Sequence, residues 1–433
     1  MTETPFQPAA RFAGQRQDVW LAHPHDTDHM TIINDAAANS PVQPVVHMGQ
    51  GFFGYNPPQF VLDAARDALG RVECNQYSPT KGRPRLKQAI ASSFSPTLGR
   101  ELNPETEVVI TTGANEGILC AFMAFLEPGD EVIVFEPFFD QYISNIEMPG
   151  GKVRYVPMKP PIDGATRTSS AAEWNIDFQE LENSISSRTK MIVINTPHNP
   201  VGKILSSAEL DRIGELAIKH DLLILSDEVY QSLFYVPFTS IAARSPDLWA
   251  RTLTVGSAGK AFYATGWRIG YLIGPENLIK YVTAAHMRIC YSSVSPLQEA
   301  VAVAFEQANQ MGFWDKSRNE MKSKIERFCE VFDEMGIPYS IPEGGYFVMG
   351  NFTKLRIPDH YTFPESVASR PRDFKLAWFL IQEIGLAAIP PTEFYTDLNA
   401  HLAENYLRFA ICKNDEVLDM AKDRLRGLRA FMQ

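Results

Sequence analysis

Residues 252–271 read Thr-Leu-Thr-Val-Gly-Ser-Ala-Gly-Lys-Ala-Phe-Tyr-Ala-Thr-Gly-Trp-Arg-Ile-Gly-Tyr. The β-branched run at 252–255 and the apolar run at 269–273 are typical of strands, and the small-residue turn between them presents Lys260. A lysine held on rigid elements and away from bulk water can lose its proton near neutral pH and attack a carbonyl carbon as an amine. From this stretch alone, a surface lysine beside a glycine turn is an equal alternative.

The same turn does not fit a phosphate-binding Walker loop. That motif requires Gly-x4-Gly-Lys-Ser/Thr. This chain has Thr254 at the first glycine position and Ala261 directly after the lysine. The match fails at both positions, so the Walker interpretation of Lys260 is excluded.

The composition is that of an acidic globular chain. Its 433 residues suffice for about two or three domains, and 45% of them are hydrophobic. The formal net charge of −11 at pH 7 argues against a nucleic-acid partner. No apolar run approaches the ~18 residues that a membrane span needs. We therefore expect neither nucleic acid nor a membrane as a partner.

Cysteine and histidine spacing argues against a disulfide framework and against a metal site. The five cysteines are scattered and lack a Cys-x-x-Cys pair, and no His-Glu-x-x-His occurs. This suits reduced thiols in a cytosolic enzyme. Residues 1–20 contain no apolar signal segment, although Arg11 and Arg16 give them a faint mitochondrial character. We expect a cytoplasmic protein, with the mitochondrion as the alternative.

From residue 105 to residue 273, short apolar runs alternate with helical patterns. The runs occupy residues 108–111, 132–135, 191–194 and 222–225. Nearly continuous apolar strands are typical of a mainly parallel sheet that is covered by helices on both faces. Ligands of such sheets bind beyond the carboxyl ends of the strands, so the residues that follow each run are candidates for a site.

Three of these positions have chemistry that a ligand could use. Gly113 leads into a helix whose free N–H groups suit a phosphate. Phe138 could stack on a flat heteroaromatic ring. Asp227 ends a buried strand and needs a cationic partner, because an unpaired buried carboxylate is costly. Its strand position favours a cationic ligand group over a role in capping the next turn.

The motifs Ser257-Ala-Gly-Lys and Ala264-Thr-Gly-Trp-Arg-Ile-Gly resemble the cofactor-lysine segment of the class I/II aminotransferases. These are pyridoxal-phosphate (PLP) enzymes with the aspartate aminotransferase fold. Among these enzymes, the two motifs most resemble those of the branch that contains kynurenine aminotransferase, glutamine transaminase K and cysteine-conjugate β-lyase. The resemblance extends over about residues 20–425. The resemblance implies an α/β protein of fold type I, with a mainly parallel seven-stranded sheet in a large domain (46–311). It also implies a small α+β domain (312–433), completed by an N-terminal arm (1–45).

The resemblance also implies roles for the site residues. Lys260 would bind PLP covalently and act as general base, Asp227 would pair with the ring nitrogen, and Tyr230 and Asn199 would contact the phenolic oxygen. Phe138 would stack on the ring. The cofactor phosphate would be held by Ala114, Asn115, Ser257, Arg268 and Tyr77 of the partner subunit, which makes the enzyme a homodimer with shared active sites.

Substrate contacts follow from the same resemblance. Arg408 and Asn199 would hold the α-carboxylate, which the backbone at Gly51 would face. The side-chain pocket would be aromatic and mostly uncharged, formed by Trp20, Tyr291 and Phe347. Relatives often have histidine after the aromatic residue that matches Tyr291, whereas this chain has Ser292, which weakens the expectation of aromatic substrates.

The expected activity is transfer of an amino group from an aromatic or uncharged amino acid to a 2-oxo acid. Kynurenine with 2-oxoglutarate is the leading pair. Transamination of methionine, glutamine or phenylalanine and β-elimination from cysteine conjugates are the close alternatives. A PLP lyase of the same fold also remains open. A non-catalytic PLP-binding regulator is disfavoured, because the chain is acidic and lacks room for a DNA-binding module.

Overall fold

The structure is a computed structural model that describes residues 29–432. The predicted substrate residue Trp20 lies outside the described residues. The strands are β1 (Val46–His47), β2 (Val108–Thr111), β3 (Glu131–Glu136), β4 (Lys152–Lys159), β5 (Ser169–Ser170), β6 (Asn175–Ile176), β7 (Thr189–Asn195), β8 (Leu223–Asp227), β9 (Thr252–Ser257), β10 (Gly270–Ile273), β11 (Tyr339–Ile341), β12 (Phe347–Asn351), β13 (Leu386–Ala387) and β14 (Tyr406–Ala410).

Helices cover the sheets and connect the strands. The α-helices are α1 (His29–Ala38), α2 (Gln59–Leu69), α3 (Pro84–Leu98), α4 (Ala114–Phe125), α5 (Gln141–Glu147), α6 (Phe178–Ser184), α7 (Ser207–Lys219), α8 (Pro246–Trp249), α9 (Ala258–Ala261), α10 (Glu276–Ile289), α11 (Ser295–Ala308), α12 (Phe313–Met335), α13 (Glu365–Ala368), α14 (Arg372–Ile384) and α15 (Asp415–Arg426). Short 3-10 turns occupy Val72–Cys74, Ala171–Glu173, Ile241–Ala243, Thr265–Trp267, Pro391–Phe394, Ala400–Leu402 and Gly427–Phe431.

The large sheet has the order β2-β10-β9-β8-β7-β3-β4-β6. Its pairs from β9 through β8, β7 and β3 to β4 are parallel, and β10 runs antiparallel to both of its neighbours. The predicted mainly parallel α/β sheet is therefore confirmed. The count of seven strands is wrong by one, because the two-residue strand β6 pairs antiparallel with the end of β4. A strand of two residues is too short to leave an apolar run in the sequence.

The strands of this sheet are buried on both faces, as the apolar runs predict. Every residue of β2, β3 and β10 is buried, and one face packs the apolar residues Val109, Val134 and Leu225 against α4 and α10. The opposite face packs Ile110 and Tyr271 against α3 and α11. The sheet thus forms the central layer of three, which fixes the positions of its strand ends.

A second sheet, ordered β14-β12-β11-β5, lies in the C-terminal part of the chain. The strand β5 joins it from within residues 46–311, and α1 packs in the same apolar cluster as α14 and α15. The strand β1 pairs in parallel with β13. The division into an arm (1–45), a large domain (46–311) and a small domain (312–433) stays a prediction. Packing of Ile33, Ala36 and Ala37 with the C-terminal elements supports the place of the arm in the small domain.

Among the described residues, no helix has the length and apolar character that crossing a membrane would require.

Candidate active site

A cavity of about 310 Å³ lies at the carboxyl ends of the parallel strands. The strands β7, β8 and β9 end there at Asn195, Asp227 and Ser257, and the registers place Asn195 beside Asp227. Side chains from the second sheet close the other side. The lining residues are Gly51, Ala114, Asn115, Ile118, Phe139, Asp140, Tyr142, Asn195, Asn199, Asp227, Val229, Tyr230, Ser257, Lys260, Thr265, Arg268, Phe347, Phe394 and Arg408.

Lys260 projects into this cavity from the one-turn helix α9. Ser257 caps that turn, since its hydroxyl accepts a hydrogen bond from the Lys260 backbone N–H at 3.3 Å. The Lys260 Nζ donates to the hydroxyl of Tyr346 at 2.9 Å and to the carbonyl of Gly51 at 3.2 Å. Burial, with a smaller contribution from Arg408, lowers the pKa of Lys260 to about 8, against the raising effects of Cys412 and Asp227. A substantial fraction of this amine is therefore unprotonated at mildly alkaline pH, as a nucleophilic lysine requires.

Asp227 is buried at the end of β8, with polar partners on its side chain. The hydroxyl of Tyr142 donates to Asp227 Oδ2, and the backbone N–H of Val229 donates to Oδ1 at 3.2 Å. Burial raises the pKa of Asp227 to about 6, against the lowering effect of these bonds and of Lys260. Within residues 29–432, no cation forms an ion pair with this carboxylate. A cationic ring nitrogen in the cavity would supply one.

Asn195 anchors two backbone segments beside Asp227. Its Nδ2 donates to the backbone carbonyl of Asp227 at 3.0 Å, and its Oδ1 accepts from the backbone N–H of Asn199 at 2.8 Å. Tyr230 lies three residues beyond Asp227 and is 5% exposed, and burial raises its pKa. Its ring centre lies 5.6 Å from Lys260 Nζ. The predicted residues Asp227, Asn199, Tyr230 and Lys260 therefore line one cavity.

The helix α4 begins at the cavity with Ala114 and Asn115. Its N-cap is Gly113, at φ +86°, and no side chain caps the helix. A Cβ at position 113 would lie 2.2 Å from Arg268 Nη2, so the guanidinium packs directly over the glycine. Free N–H groups, the positive end of the helix dipole and an arginine together form a receptor for a dianionic phosphate. Ser257 lies beside this cradle, because Ser257 and Thr111 both pair with Gly270.

Arg408 approaches the opposite side of the cavity from β14. Its Nη1 donates to Asn199 Oδ1 at 3.1 Å, and its Nη2 donates to the carbonyl of Gly49 at 2.9 Å. The guanidinium lies 4.6 Å from the ring centre of Phe347 and 5.0 Å from that of Phe394. Burial lowers its pKa to about 10. Its Nε has no hydrogen-bond partner within residues 29–432, which leaves this buried cation incompletely satisfied.

The structure corrects the prediction for Phe138. Phe138 is 6% exposed, does not line the cavity, and packs in the core against the ring of Tyr155 at 5.5 Å. Its neighbour Phe139 lines the cavity instead and contacts the Tyr142 ring at 5.5 Å. Side chains of adjacent residues in extended backbone point to opposite sides. The side chain that can reach a ring bound in the cavity is therefore that of Phe139, one residue later than predicted.

Gly51 and Phe347 line the cavity as expected and touch each other. A Cβ at Gly51 would lie 2.7 Å from Phe347 Cζ, so that position admits no side chain without a shift of the ring.

Tyr77 and Tyr291 differ from the other predicted site residues in their position. They lie outside the cavity lining, are 86% and 54% exposed, and pack edge to face at 5.7 Å. Within one chain, these two tyrosines do not reach the site.

Several cavity residues were not predicted from the sequence. Tyr142 follows the strand β3 by six residues, and Asn195 is the last residue of β7, so both lie where ligand-binding residues are expected. Phe394 comes from a 3-10 turn far along the chain, and its carbonyl accepts from the N–H of Phe138 at 2.9 Å. Tyr346, next to the predicted Phe347, is not part of the lining but accepts a hydrogen bond from Lys260. Of these residues, only Asn195 and Tyr142 could have been proposed from the sequence, because they lie at or shortly after the end of a predicted strand.

The residues present fit PLP. The glycine-lined cradle suits its phosphate, the carboxylate of Asp227 suits its ring nitrogen, and the amine of Lys260 suits its aldehyde. When bound, this cofactor withdraws electrons from the α-carbon of an attached amino acid and so makes its hydrogen acidic. The unsatisfied Arg408 is available for a carboxylate, and the uncharged walls Phe139, Phe347 and Phe394 suit an apolar side chain.

Comparisons with known proteins agree with this geometry. A profile of the family "Aminotransferase class I and II" matches residues 43–425. The probable kynurenine–oxoglutarate transaminase of Saccharomyces cerevisiae is 48% identical over 94% of this chain and 93% of its own length. The kynurenine–oxoglutarate transaminase of Dictyostelium discoideum is 37% identical over 89% and 91%. The crystal structure of Bna3p from S. cerevisiae superposes with a TM-score of 0.92 over 94% of this chain and 97% of that one, at 48% identity. The chain belongs to the class I and II aminotransferase family and is a PLP-dependent aminotransferase.

Proposed function

We propose that the chain is a kynurenine–oxoglutarate transaminase, which moves the α-amino group of kynurenine to 2-oxoglutarate. The observation that carries the proposal is the buried Arg408 between Phe347 and Phe394, which offers a carboxylate receptor flanked by aromatic, uncharged walls. Kynurenine has an α-carboxylate and an aromatic side chain. The names of the two relatives with 48% and 37% identity support the same substrate pair.

In this proposal, Lys260 takes part in both attachment and proton transfer. Its amine would hold the cofactor aldehyde and, once an amino acid had taken that position, would accept the α-proton as general base. Burial supports this role, because it lowers the pKa of Lys260 to about 8, near the working pH of a general base. Tyr346 and the Gly51 carbonyl hold the amine in reach of the cavity.

The other predicted residues hold the cofactor and the substrate. Asp227 would keep the ring nitrogen protonated, and Asn199 and Tyr230 would bind the phenolic oxygen. Ala114, Asn115, Ser257 and Arg268 would bind the phosphate, and Phe139, rather than Phe138, would stack on the ring. Arg408 and Asn199 hold the α-carboxylate, which faces the backbone of Gly51. The amino acid would thus be held at its amino group by the cofactor and at its carboxylate by Arg408 and Asn199. This binding would turn its α-hydrogen towards Lys260.

We further propose a homodimer with shared active sites. The exposed pair Tyr77–Tyr291 supports it, because two large aromatic side chains that point into solvent are typical of an uncovered interface. Tyr77 of the partner subunit would complete the phosphate site, and Tyr291 of the partner subunit would border the substrate. The five free cysteines support a reducing compartment, for which we propose the cytoplasm, with the mitochondrion as the alternative.

An absorbance experiment tests the substrate pair. The cofactor band of the purified holoenzyme should shift when kynurenine is added and return when 2-oxoglutarate follows. Kynurenine that leaves the band unchanged, while methionine or glutamine shifts it, would contradict kynurenine as donor and retain the aminotransferase. Addition of an amino donor without an oxo acid separates a lyase from a transaminase, because a transaminase stops after one turnover and a lyase continues.

A further inference from the structure

A second cavity of about 360 Å³ lies on the face of the large sheet that packs against α3 and α11. It is enclosed by residues from α3, β9, β10, α11, α12 and the segment that follows β8. It shares Val229 and Ser257 with the lining of the active-site cavity. The two cavities are therefore neighbours, separated by the end of β8 and the start of the α9 turn.

Aromatic rings form much of the wall of this second cavity. Six of them contribute, namely Phe94, Phe234, Phe238, Tyr271, Phe305 and Trp314. They are held by one another, since Phe94 packs on Tyr271 at 5.5 Å and Phe234 stacks on Phe238 at 6.4 Å with an interplanar angle of 21°. Ring faces present negative charge density, so an aromatic cavity attracts organic cations.

The cavity also contains a carboxylate that is only half satisfied. Glu228 is fully buried, and its Oε1 accepts hydrogen bonds from the hydroxyls of Ser226 and Ser240, both at 2.7 Å. Its Oε2 has no hydrogen-bond partner in the part of the chain that the structure describes, and neither does the hydroxyl of Thr254. Both residues belong to the cavity lining. Buried polar atoms of this kind call for a partner that the described residues do not supply.

Other charges at the cavity do not compete for Glu228. The lining includes one cation, Arg318, whose guanidinium pairs with Asp315 and lies 4.4 Å from the ring centre of Phe234. This arginine is therefore already engaged. Burial raises the pKa of Glu228 to about 7, and the negative charge of the neighbouring Asp227 makes a smaller contribution in the same direction. The surroundings of Glu228 thus favour a positively charged donor over an anion.

We propose that the second cavity is a binding site for a small aromatic amine, whose ammonium group donates to Glu228 and whose ring packs among Phe94, Phe234 and Phe238. This site is distinct from the site of amino transfer and requires no chemistry on the ligand. Glu228 directly follows Asp227, and its backbone N–H donates to the Val255 carbonyl at 3.0 Å. The proposed site therefore adjoins the strand end that carries the carboxylate of the active site.

The test uses a tertiary amine, because a primary amine would react with the cofactor aldehyde. Calorimetric titration of the PLP-loaded enzyme with N,N-dimethyl-2-phenylethylamine should show saturable binding. Glu228→Gln keeps an acceptor for Ser226 and Ser240 but replaces the Oε2 position with a donor, and should weaken binding at least about 10-fold, since hydrogen bonds to charged groups are the strong ones. Phe238→Leu, at a partly exposed wall position, should weaken it about 2–10-fold.

Two controls make the result decisive. Glu276→Gln removes an exposed carboxylate elsewhere and should leave the affinity unchanged. The anion 3-phenylpropanoate can bind at Arg408 in the active site, so its affinity should be the same in Glu228→Gln and Phe238→Leu as in the wild type. Absence of amine binding to the wild-type holoenzyme would overturn the proposal, and so would an affinity for the amine in Glu228→Gln and Phe238→Leu that is unchanged from the wild type. Binding of 3-phenylpropanoate that Phe238→Leu weakens as much as it weakens binding of the amine would also overturn the proposal. Since Phe238→Leu tests the wall alone, the proposal stays testable if the Glu228 variant fails to fold.

Discussion

Replacement of Phe138 by leucine and replacement of Phe139 by leucine should produce different defects, although both residues closely follow β3. Phe139 lines the active-site cavity, whereas Phe138 is 6% exposed and packs on Tyr155. Loss of a stacked ring in Phe139→Leu should cost about 0.5–1.5 kcal/mol of cofactor binding. That range corresponds to a rise of about 2–10-fold in the Kd of PLP. The stability of the apoenzyme should change little.

Phe138→Leu should leave the cofactor affinity unchanged and destabilise the fold. Removal of part of a buried ring leaves a cavity beside Tyr155 and costs about 1–2 kcal/mol, within the usual range for core substitutions. The two variants change the same chemical group at adjacent positions, so each is the control for the other. Fluorescence titration of each apoenzyme with PLP gives the Kd, and urea unfolding of the same samples gives the free energy of unfolding.

The result that would refute this reasoning is the reverse pattern. A higher Kd of PLP in Phe138→Leu, with unchanged affinity in Phe139→Leu, would return the stacking role to Phe138. Equal effects of both variants on Kd would mean that the strand end responds as a unit and that neither ring contacts the cofactor individually. Only the predicted separation of binding from stability supports Phe139 as the stacking residue.

Four further perturbations address the rest of the site. Lys260→Ala should slow a single turnover by about 10²–10⁴-fold, the usual contribution of a general base, as measured by stopped-flow absorbance. Arg408→Lys loses the planar fork and should lower kcat/KM about 10–100-fold for both amino donor and oxo acid in steady-state assays. Glu136 accepts hydrogen bonds from the Thr396 N–H and the Asn399 side chain, so Glu136→Gln should loosen the Phe394 segment and raise the donor KM with little change in the Kd of PLP. Because only the unprotonated amine reacts, the rate of PLP loading onto the apoenzyme should rise with pH and reach half its maximum near pH 8, the lowered pKa of Lys260, rather than near 10.5.

The sequence predicted those parts of the site that follow directly from strand ends. Asp227 ends an apolar run and was a candidate from its strand position, whereas the family resemblance was needed to select Asn199 and Lys260. All three follow or separate apolar runs, so the order of the strands brings them together. The helix at Ala114 was predictable for the same reason, because a glycine turn after a strand marks its beginning. The fold class and these residues have a common origin in the apolar runs.

The remaining contacts depend on geometry that periodicity does not contain. The choice between Phe138 and Phe139 depends on the rotation of one residue beyond β3, and both are aromatic. Phe394 reaches the cavity from residues 391–394, held by the Glu136 carboxylate and the Phe138 N–H, a pairing across more than half of the chain. The strands β5 and β6 contain two residues each, and local patterns cannot distinguish such strands from loops.

The electrostatics of the site connect substrate binding to proton transfer. Lys260 and Arg408 are both buried at one cavity, and burial lowers the pKa of each. The positive charge of Arg408 also contributes to the lowered pKa of Lys260. A substrate carboxylate bound to Arg408 offsets its positive charge, and the repulsion that holds down the pKa of Lys260 then decreases. Lys260 released from the cofactor therefore has a higher proton affinity when the carboxylate is in place than when Arg408 is unpaired. The same contact that orients the α-carbon thus strengthens the base that receives its proton, and an amine without a carboxylate should lose both effects together.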